Sequence, residues 1–427
     1  MKTEVKPLPR GQVELTIEIS PEEFQPFLQQ AAKKLSEEIK IPGFRPGKAG
    51  LDIIKSKVGE DQIWQAALEP AIKKTFIAAI EENKLETVGA PEIDAVKLAP
   101  GNPVIYKATA NLLPQIKLGD YAKIKIEKKP VQVKDEQAKK VINDLQNMRA
   151  KETLVLRAIK KGDKAEIDFE SFMDKIPLEH GQHQKFLLIV GGGQFIPGFE
   201  DQLIGLETGQ TKNFQLKFPE NYHQKNIAGK LVDFKVKINA VFSRELPELN
   251  DEFAQSLGGF KTLAEAEEKI KSNLAEEAEH EAAHRLEDEM IDKIITASQF
   301  GDIPDLLINS EAKKMTEELA YNLEQQGLKL EDYLTHLKKT QAQVLLEFAP
   351  QAIKRVKSAL VVRAVAKNEN LKADEAEIDE EIQKSLADCH HDPEIEKNVK
   401  NPAYLDYLKN ILTARKVMAR LKELMVK

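Results

Sequence analysis

Val13, Leu15, Ile17 and Ile19 are separated by polar residues, a period of two that predicts a half-buried strand. Ser20-Pro21-Glu22-Glu23 reads as a helix start. A cap serine and a glutamate three residues on can satisfy each other's backbone N–H, and proline is pre-set for the first helical position. The period then becomes helical, with Phe24, Phe27, Leu28, Ala31, Leu35 and Ile39 on one face. A second helix is predicted from about Asp61, through Ile63, Ala67, Ile72, Phe76 and Ile80, with Pro70 as a bend. Strand-like segments at Glu86–Val88 and Val104–Leu112 complete a small α+β domain over residues 1–115.

Tyr121 to Val133 alternates and meets a helical pattern from Lys134 to Ala150, so residues 116–151 read as an extended connection and a helix. The pattern then shortens. Residues 152–245 hold brief alternating strands at Ala165–Phe169, Lys185–Val190 and Leu231–Val236, with an irregular loop expected from Asp174 to His183. Leu246 to Phe253 reads as an exit linker that opens the last domain, 246–427. A long helix is predicted from Leu263 to Ile295 on a thin stripe of Ile270, Leu274, Ala278, Leu286, Met290 and Ile294. Phe300 to Pro304 interrupts it, and helices follow at 305–326, 330–338, 341–368, 375–388 and 402–425, with Pro350 at a bend and Pro402 at a start. No fixed repeat period joins them, which excludes a solenoid array. The fold class is α+β, in several domains.

Composition narrows the function. At 427 residues the chain predicts two to four domains with ample core. Charged residues make up 31% and the mean hydropathy is −0.43, values of a soluble, heavily solvated and helix-rich protein. Cys389 stands alone, which excludes an intramolecular disulfide framework and fits a reducing compartment. No run has the apolar length to span a bilayer, and Met1 to Lys6 lacks the apolar core of a secretion signal, so a cytoplasmic location without membrane contact is expected. The net charge of −7 requires any nucleic-acid partner to meet a local basic patch. Residues 33–57 offer one: Lys33, Lys34, Lys40, Arg45, Lys48, Lys55 and Lys57 against Glu37, Glu38 and Asp52 give +4, leaving −11 elsewhere.

Inside that patch lies Ile41-Pro42-Gly43-Phe44-Arg45-Pro46-Gly47-Lys48. Two glycines free to take positive φ and two prolines fixed near −65° exclude helix and strand. Two outcomes fit: a tight surface turn with Phe44 folded inward, or a stiff tip presenting Phe44 and Arg45 to a large polar surface such as RNA.

The motif, behind an amphipathic helix near the N-terminus, resembles the signature of the trigger factor family of bacterial ribosome-associated chaperones. The resemblance implies that this loop docks beside the nascent-chain tunnel exit, and that Gly43, Phe44, Arg45, Gly47 and Lys48 form the ribosome-binding tip. Pro46 replaces a lysine common at the tip and Gly50 a proline usual two residues after Lys48. The first change removes one phosphate-pairing cation and shifts weight onto Arg45 and Lys48.

In the middle segment, Gly191-Gly192-Gly193 invites a phosphate-cradle interpretation, but no Gly-Lys-Ser/Thr follows. Instead Gly193-Gln194-Phe195-Ile196-Pro197-Gly198-Phe199-Glu200, with Leu203, Gly205, Leu206 and Gly209, resembles an FKBP-type prolyl isomerase, which trigger factors carry in this place. The resemblance implies a β half-barrel and carries pocket positions onto Asp168, Phe169, Phe186, Phe195, Ile196, Phe199, Tyr222 and Phe234. It departs at Leu178, where an aromatic commonly lines the pocket, and at Glu179, where aspartate is usual. Rotation about an X-Pro bond breaks no covalent bond, so an apolar pocket without a nucleophile suits the chemistry. The same aromatics would equally serve as the core of a small half-barrel without turnover.

The helical stripes, such as Leu345, Phe348, Ile353, Val356, Leu360 and Val361, fit either a cradle for unfolded chains or ordinary bundle core. Cys389-His390-His391 cannot easily converge on one ion and reads as surface loop; no metal, nucleotide or other cofactor is implied. The family architecture implies an elongated molecule whose helical C-terminal domain bears arms. It also implies an ATP-independent chaperone whose partners are the large ribosomal subunit near the tunnel exit, through rRNA and protein, and nascent and unfolded polypeptides, with a homodimer left open for the free protein. Two alternatives stand beside it: a free cytoplasmic prolyl isomerase without ribosome docking, and a non-enzymatic holdase.

Overall fold

The structure, a computed structural model, describes residues 1–38, 51–97, 102–173, 176–222, 224–225, 227–388, 399 and 401–427. The Ile41–Lys48 loop, Gly50 and Cys389-His390-His391 lie outside the described residues. The chain divides into two compact units, one made of Met1–Lys128 with His284–Lys427, the other of Lys129–Ala283.

In the first unit, β1 (Lys2–Leu8), β2 (Gln12–Ile19), β3 (Thr87–Lys97) and β4 (Val104–Leu112) form an antiparallel sheet in the order β1-β2-β4-β3. Helices α1 (Pro21–Glu38), α2 (Leu51–Val58) and α3 (Glu60–Glu82) belong to the same domain. The alternation of β2 sends Val13, Leu15, Ile17 and Ile19 inward, where they share a core with Phe24, Trp64 and Ala67. Ser20 and Glu23 exchange the expected cap bonds, Glu23 N–H to Ser20 Oγ at 3.3 Å and Ser20 N–H to Glu23 Oε2 at 3.1 Å. Helix α3 runs through Pro70. The hydroxyls of Thr75 and Tyr106 pair at 2.8 Å inside the core, and burial pushes the Tyr106 phenol up to about 12. The strand expected at Glu86–Val88 is longer, and β1 was not expected at all. Both are sheet edges, largely exposed, whose charges and prolines erase the alternating pattern.

Beyond β5 (Ile116–Lys117), α4 (Asp135–Met148) opens the second unit. There β6 (Lys151–Leu154), β7 (Lys164–Met173), β8 (Ile176–Ile189), β9 (Thr211–Lys217) and β10 (Leu231–Glu245) form one antiparallel sheet. Its order is β6-β10-β7-β8, with β9 also on β10. Strand β10 takes β7 along one side, and on the other β9 first and β6 afterwards. The irregular loop expected up to His183 is instead largely strand from Ile176, because register shifts against β7 absorb its broken alternation. The expected linker likewise contains helix, α5 (Asp251–Leu257), capped by Asn250 Oδ1 on Phe253 N–H at 3.0 Å.

Helix α6 (Leu263–Ala297) leads back into the first unit, followed by β11 (Gln299–Phe300), which pairs with β5. Then come α7 (Asp305–Gln325), α8 (Leu330–His336), α9 (Gln341–Asn368), α10 (Glu375–Asp388) and α11 (Pro402–Met425). Met290 and Ile294 of α6, Val361 and Val365 of α9, and Val417, Leu421 and Met425 of α11 close one core with Tyr121 and Ile126. Ile126 also bridges to Val426, and its N–H donates to the Met425 carbonyl at 2.8 Å. Ala312 and Met315 of α7 meet Ala352, Leu345 and Phe348 of α9. Of the stripe left open between cradle and core, Val356, Leu360 and Val361 are buried core. Large hydrophobics that stay exposed in this region include Tyr321, Leu328, Leu337 and Leu346. Among the described residues no helix is long and apolar enough to cross a membrane.

Candidate active site

The inner face of the second unit's sheet is set by alternation. Ala165, Ile167, Phe169 and Ser171 of β7 point inward, as do Val232, Phe234, Val236 and Ile238 of β10. Asn239 is an extra residue between Ile238 and Ala240, a bulge that passes the inward role on to Val241. Against this face sits Phe199, fully buried, at the start of the 3-10 turn Glu200–Leu203.

An aromatic cluster is built around it. Phe195 stacks on Phe199 with centroids 4.1 Å apart and planes 10° from parallel. Phe234 meets Phe199 edge-on at 5.2 Å, while Phe169 meets Phe195 at 5.3 Å and Phe186 at 5.8 Å, both edge-on. Such tilted pairs are worth about 0.5–1.5 kcal/mol each beyond their burial. Phe169, Phe199 and Phe234 form a buried floor, while Phe186, Phe195 and Ile196 are half-buried. Tyr222 is half-buried too, its ring 4.8 Å from Phe218, which in turn stacks on Phe234. Leu178 packs on the same cluster.

Asp168 is the exception among the expected pocket residues. As the neighbour of Phe169 on a strand it faces the other way. Its Oδ1 accepts from Lys185 N–H and from Asn239 Nδ2, both at 2.7 Å. The Lys185 amide foremost, then Asn239, holds its carboxyl below the usual carboxylate range.

Sequence reasoning missed Phe214, Phe218, His183 and Glu200 as parts of this site. Phe214 and Phe218 were legible, since Phe214, Leu216 and Phe218 alternate with polar residues through β9 and the residue that follows it. His183 left no such signal. Its ring lies 5.2 Å from Phe169 and 6.0 Å from Phe186, and its residue is exposed.

Glu200 explains the glycine-rich loop. Its carboxylate accepts from the backbone N–H groups of Gly191 (2.7 Å), Gly193 (3.0 Å), Gln194 (2.8 Å) and Phe195 (3.3 Å). Gly191 and Gly193 take the positive φ that turns these amides inward, at +91° and +72°. The loop thus cradles the chain's own anion, which fixes the stretch carrying Phe195 and Ile196. Burial pushes the Glu200 carboxyl up, but the four amides outweigh it and hold the pKa below its ordinary value. A depressed carboxylate contributes stability above its unfolded pKa and loses it as pH falls through the folded one. Glu200→Gln is therefore expected to weaken the loop by about 2 kcal/mol at neutral pH. Faster amide exchange at Gly191, Gly193 and Gln194 reads this out, with the difference from wild type vanishing in acid; unchanged exchange at neutral pH would count against it.

The arrangement offers, among the described residues, an apolar, largely aromatic surface. Among the described residues no group of three His, Cys, Asp or Glu could hold a metal ion. The profile of "Bacterial trigger factor protein (TF)" matches residues 1–145, and that of its C-terminus residues 262–423. The profile of "FKBP-type peptidyl-prolyl cis-trans isomerase" matches residues 156–242, which hold the aromatic cluster. Trigger factor of Halalkalibacterium halodurans is 38% identical over 372 residues, covering 87% of this chain and 86% of its own. That of Bacillus subtilis is 37% identical over 414 residues, 96% of each chain, and that of Pelotomaculum thermopropionicum 32% over 425 residues, 99% and 97%. With three profiles matched in order and relatives 37–38% identical over 87–96% of its length, the chain belongs to the trigger factor family of chaperones and carries that family's FKBP-type domain.

Proposed function

We propose that the protein is a cytoplasmic, ATP-independent chaperone that docks on the large ribosomal subunit at the tunnel exit and catalyses cis–trans isomerisation of X-Pro bonds in emerging chains. The observation that carries the isomerase part is the Phe169–Phe186–Phe195–Phe199–Phe234 cluster, with a buried floor and a half-buried rim. The barrier to rotation is lost amide resonance, about 18–20 kcal/mol. An apolar surface strips water from the imide and favours its twisted, less charge-separated form. The proline ring is held against the Phe195–Phe199 stack, and the Tyr222 hydroxyl donates to a substrate carbonyl. Turnover of a proline-containing peptide by the full chain tests this, and a protein that binds such peptides without accelerating their isomerisation would be a holdase instead.

Docking is supported by family membership and by the Phe44-Arg45 motif within its basic stretch. Lys33 and Lys34 of α1 and Lys55 and Lys57 of α2 flank that motif in sequence, and all four residues are exposed. Client holding falls to exposed hydrophobics of the helical region, above all Leu346, 74% exposed, and Tyr321, 63% exposed. Each is too isolated to bind tightly, which suits release without ATP. The Tyr321→Ser/Leu346→Ser variant is expected to suppress aggregation of a denatured client about threefold less well, at about 0.7 kcal/mol of lost apolar contact. Light scattering measures this, with peptide isomerisation as the unchanged control. Equal suppression by both proteins would remove these two residues from the client surface.

A further inference from the structure

Two strands that flank β7 are irregular at the same level, and Asp168 lies between them. On β8, Phe186 pairs with Ile167 and His183 with Phe169, so three steps on β8 answer two on β7. Residues three apart on a regular strand face opposite ways. Here the bulge at Gln184-Lys185 brings both His183 and Phe186 to the inner face, where both rings touch Phe169. The bulge requires φ of +53° at Lys185, a left-handed conformation unfavourable for any residue with a Cβ. On β10, Asn239 is the extra residue of the second bulge. The Asp168 carboxylate accepts from Lys185 N–H and Asn239 Nδ2 through one oxygen, joining both irregularities across β7.

We propose that Asp168 is a positioning residue, whose carboxylate staples the paired bulges of β8 and β10 and so keeps Phe186 on the rim of the aromatic cluster. Without the staple, the strained Lys185 conformation relaxes toward regular strand, which turns Phe186 away from Phe169. The catalytic consequence rests on the isomerase activity proposed above; the structural one does not.

The test uses the full chain with isotope-labelled phenylalanine and reads two quantities, kcat/KM on a prolyl peptide and the nuclear Overhauser contact between the Phe169 and Phe186 rings. Asp168→Ala is expected to lose that contact and about tenfold or more in kcat/KM, the scale of a misplaced positioning group. Glycine adopts φ of +53° without steric cost. Lys185→Gly alone is therefore expected to behave as wild type, and Asp168→Ala/Lys185→Gly to recover most of both quantities. A merely structural loss at Asp168 would not be repaired at Lys185. If Asp168→Ala does not fold, Asn239→Ala, which leaves the carboxylate one donor, is expected to show the same losses in smaller measure. A ring contact that survives both single substitutions overturns the staple, and so does one that Lys185→Gly fails to restore. If wild type shows no turnover, the isomerase reading fails, and the ring contact alone then decides for or against the staple.

Discussion

Phe199→Ala is expected to reduce prolyl-peptide turnover by about a hundredfold, the largest effect of any single change in the 129–283 unit. Phe199 is fully buried and its ring meets those of Phe169, Phe195, Phe214 and Phe234. Truncation would remove the surface proposed to hold the proline ring and leave a void that the sheet cannot close, because each neighbour is held by a further aromatic. The cost to the unit is about 3–5 kcal/mol, in the range of large-to-small aromatic core changes. Turnover and stability are separated by Phe199→Leu, which keeps most of the volume and lacks the flat face. Proline-limited refolding of a substrate measures activity, and urea titration of amide exchange within residues 129–283 measures stability. Wild-type turnover in a folded Phe199→Ala protein would show that isomerisation happens elsewhere, and the aromatic cluster would then be core alone.

The second large effect is expected in the Phe44–Lys48 stretch. Phe44→Ala/Arg45→Ala should abolish co-sedimentation with vacant ribosomes at moderate salt while leaving peptide isomerisation unchanged. Each phosphate contact contributes roughly 0.7–0.9 to the slope of log K against log salt, so losing Arg45 should flatten that slope by about one such step. If the loop docks as proposed, Pro46 leaves out a cation that the family resemblance implies there, and Arg45 and Lys48 should carry more of the attraction. Lys48→Ala should therefore repeat the salt effect without the loss of aromatic contact. Sedimentation of wild type and double variant side by side decides the matter. Identical profiles at low and moderate salt would detach this loop from ribosome binding.

The sequence was most informative where one face of an element is buried. The alternation at Val13–Ile19, the cap at Ser20 and the apolar stripes of the C-terminal helices all mark positions where water and core compete for alternate side chains, and α1, β2, β4, α7 and α9 follow them closely. It was silent for β1, and for most of β3, because edge strands are wet on both faces and carry charge and proline. The aromatic cluster was legible in part: periodicity marks Phe169, Phe214, Phe218 and Phe234 as inward-facing, but only the resemblance put Phe199 with them. Glu200 and Asn239 escaped for another reason. Their roles lie in hydrogen bonds to backbone amides and across a bulge, and neither leaves a periodic trace.

The bond from Ile126 N–H to the Met425 carbonyl also orders events during synthesis. Residues 129–283 are continuous, so that unit has all its contacts once Ala283 has left the ribosome. The other unit is split by it: Ile126 cannot meet Met425 and Val426 until some 300 further residues have been made. At about 5–20 residues per second this is a wait of roughly 15–60 s, in which Tyr121 and Ile126 have no complete core to enter. A member of a chaperone family is thus, for the length of its own translation, itself an unfinished fold.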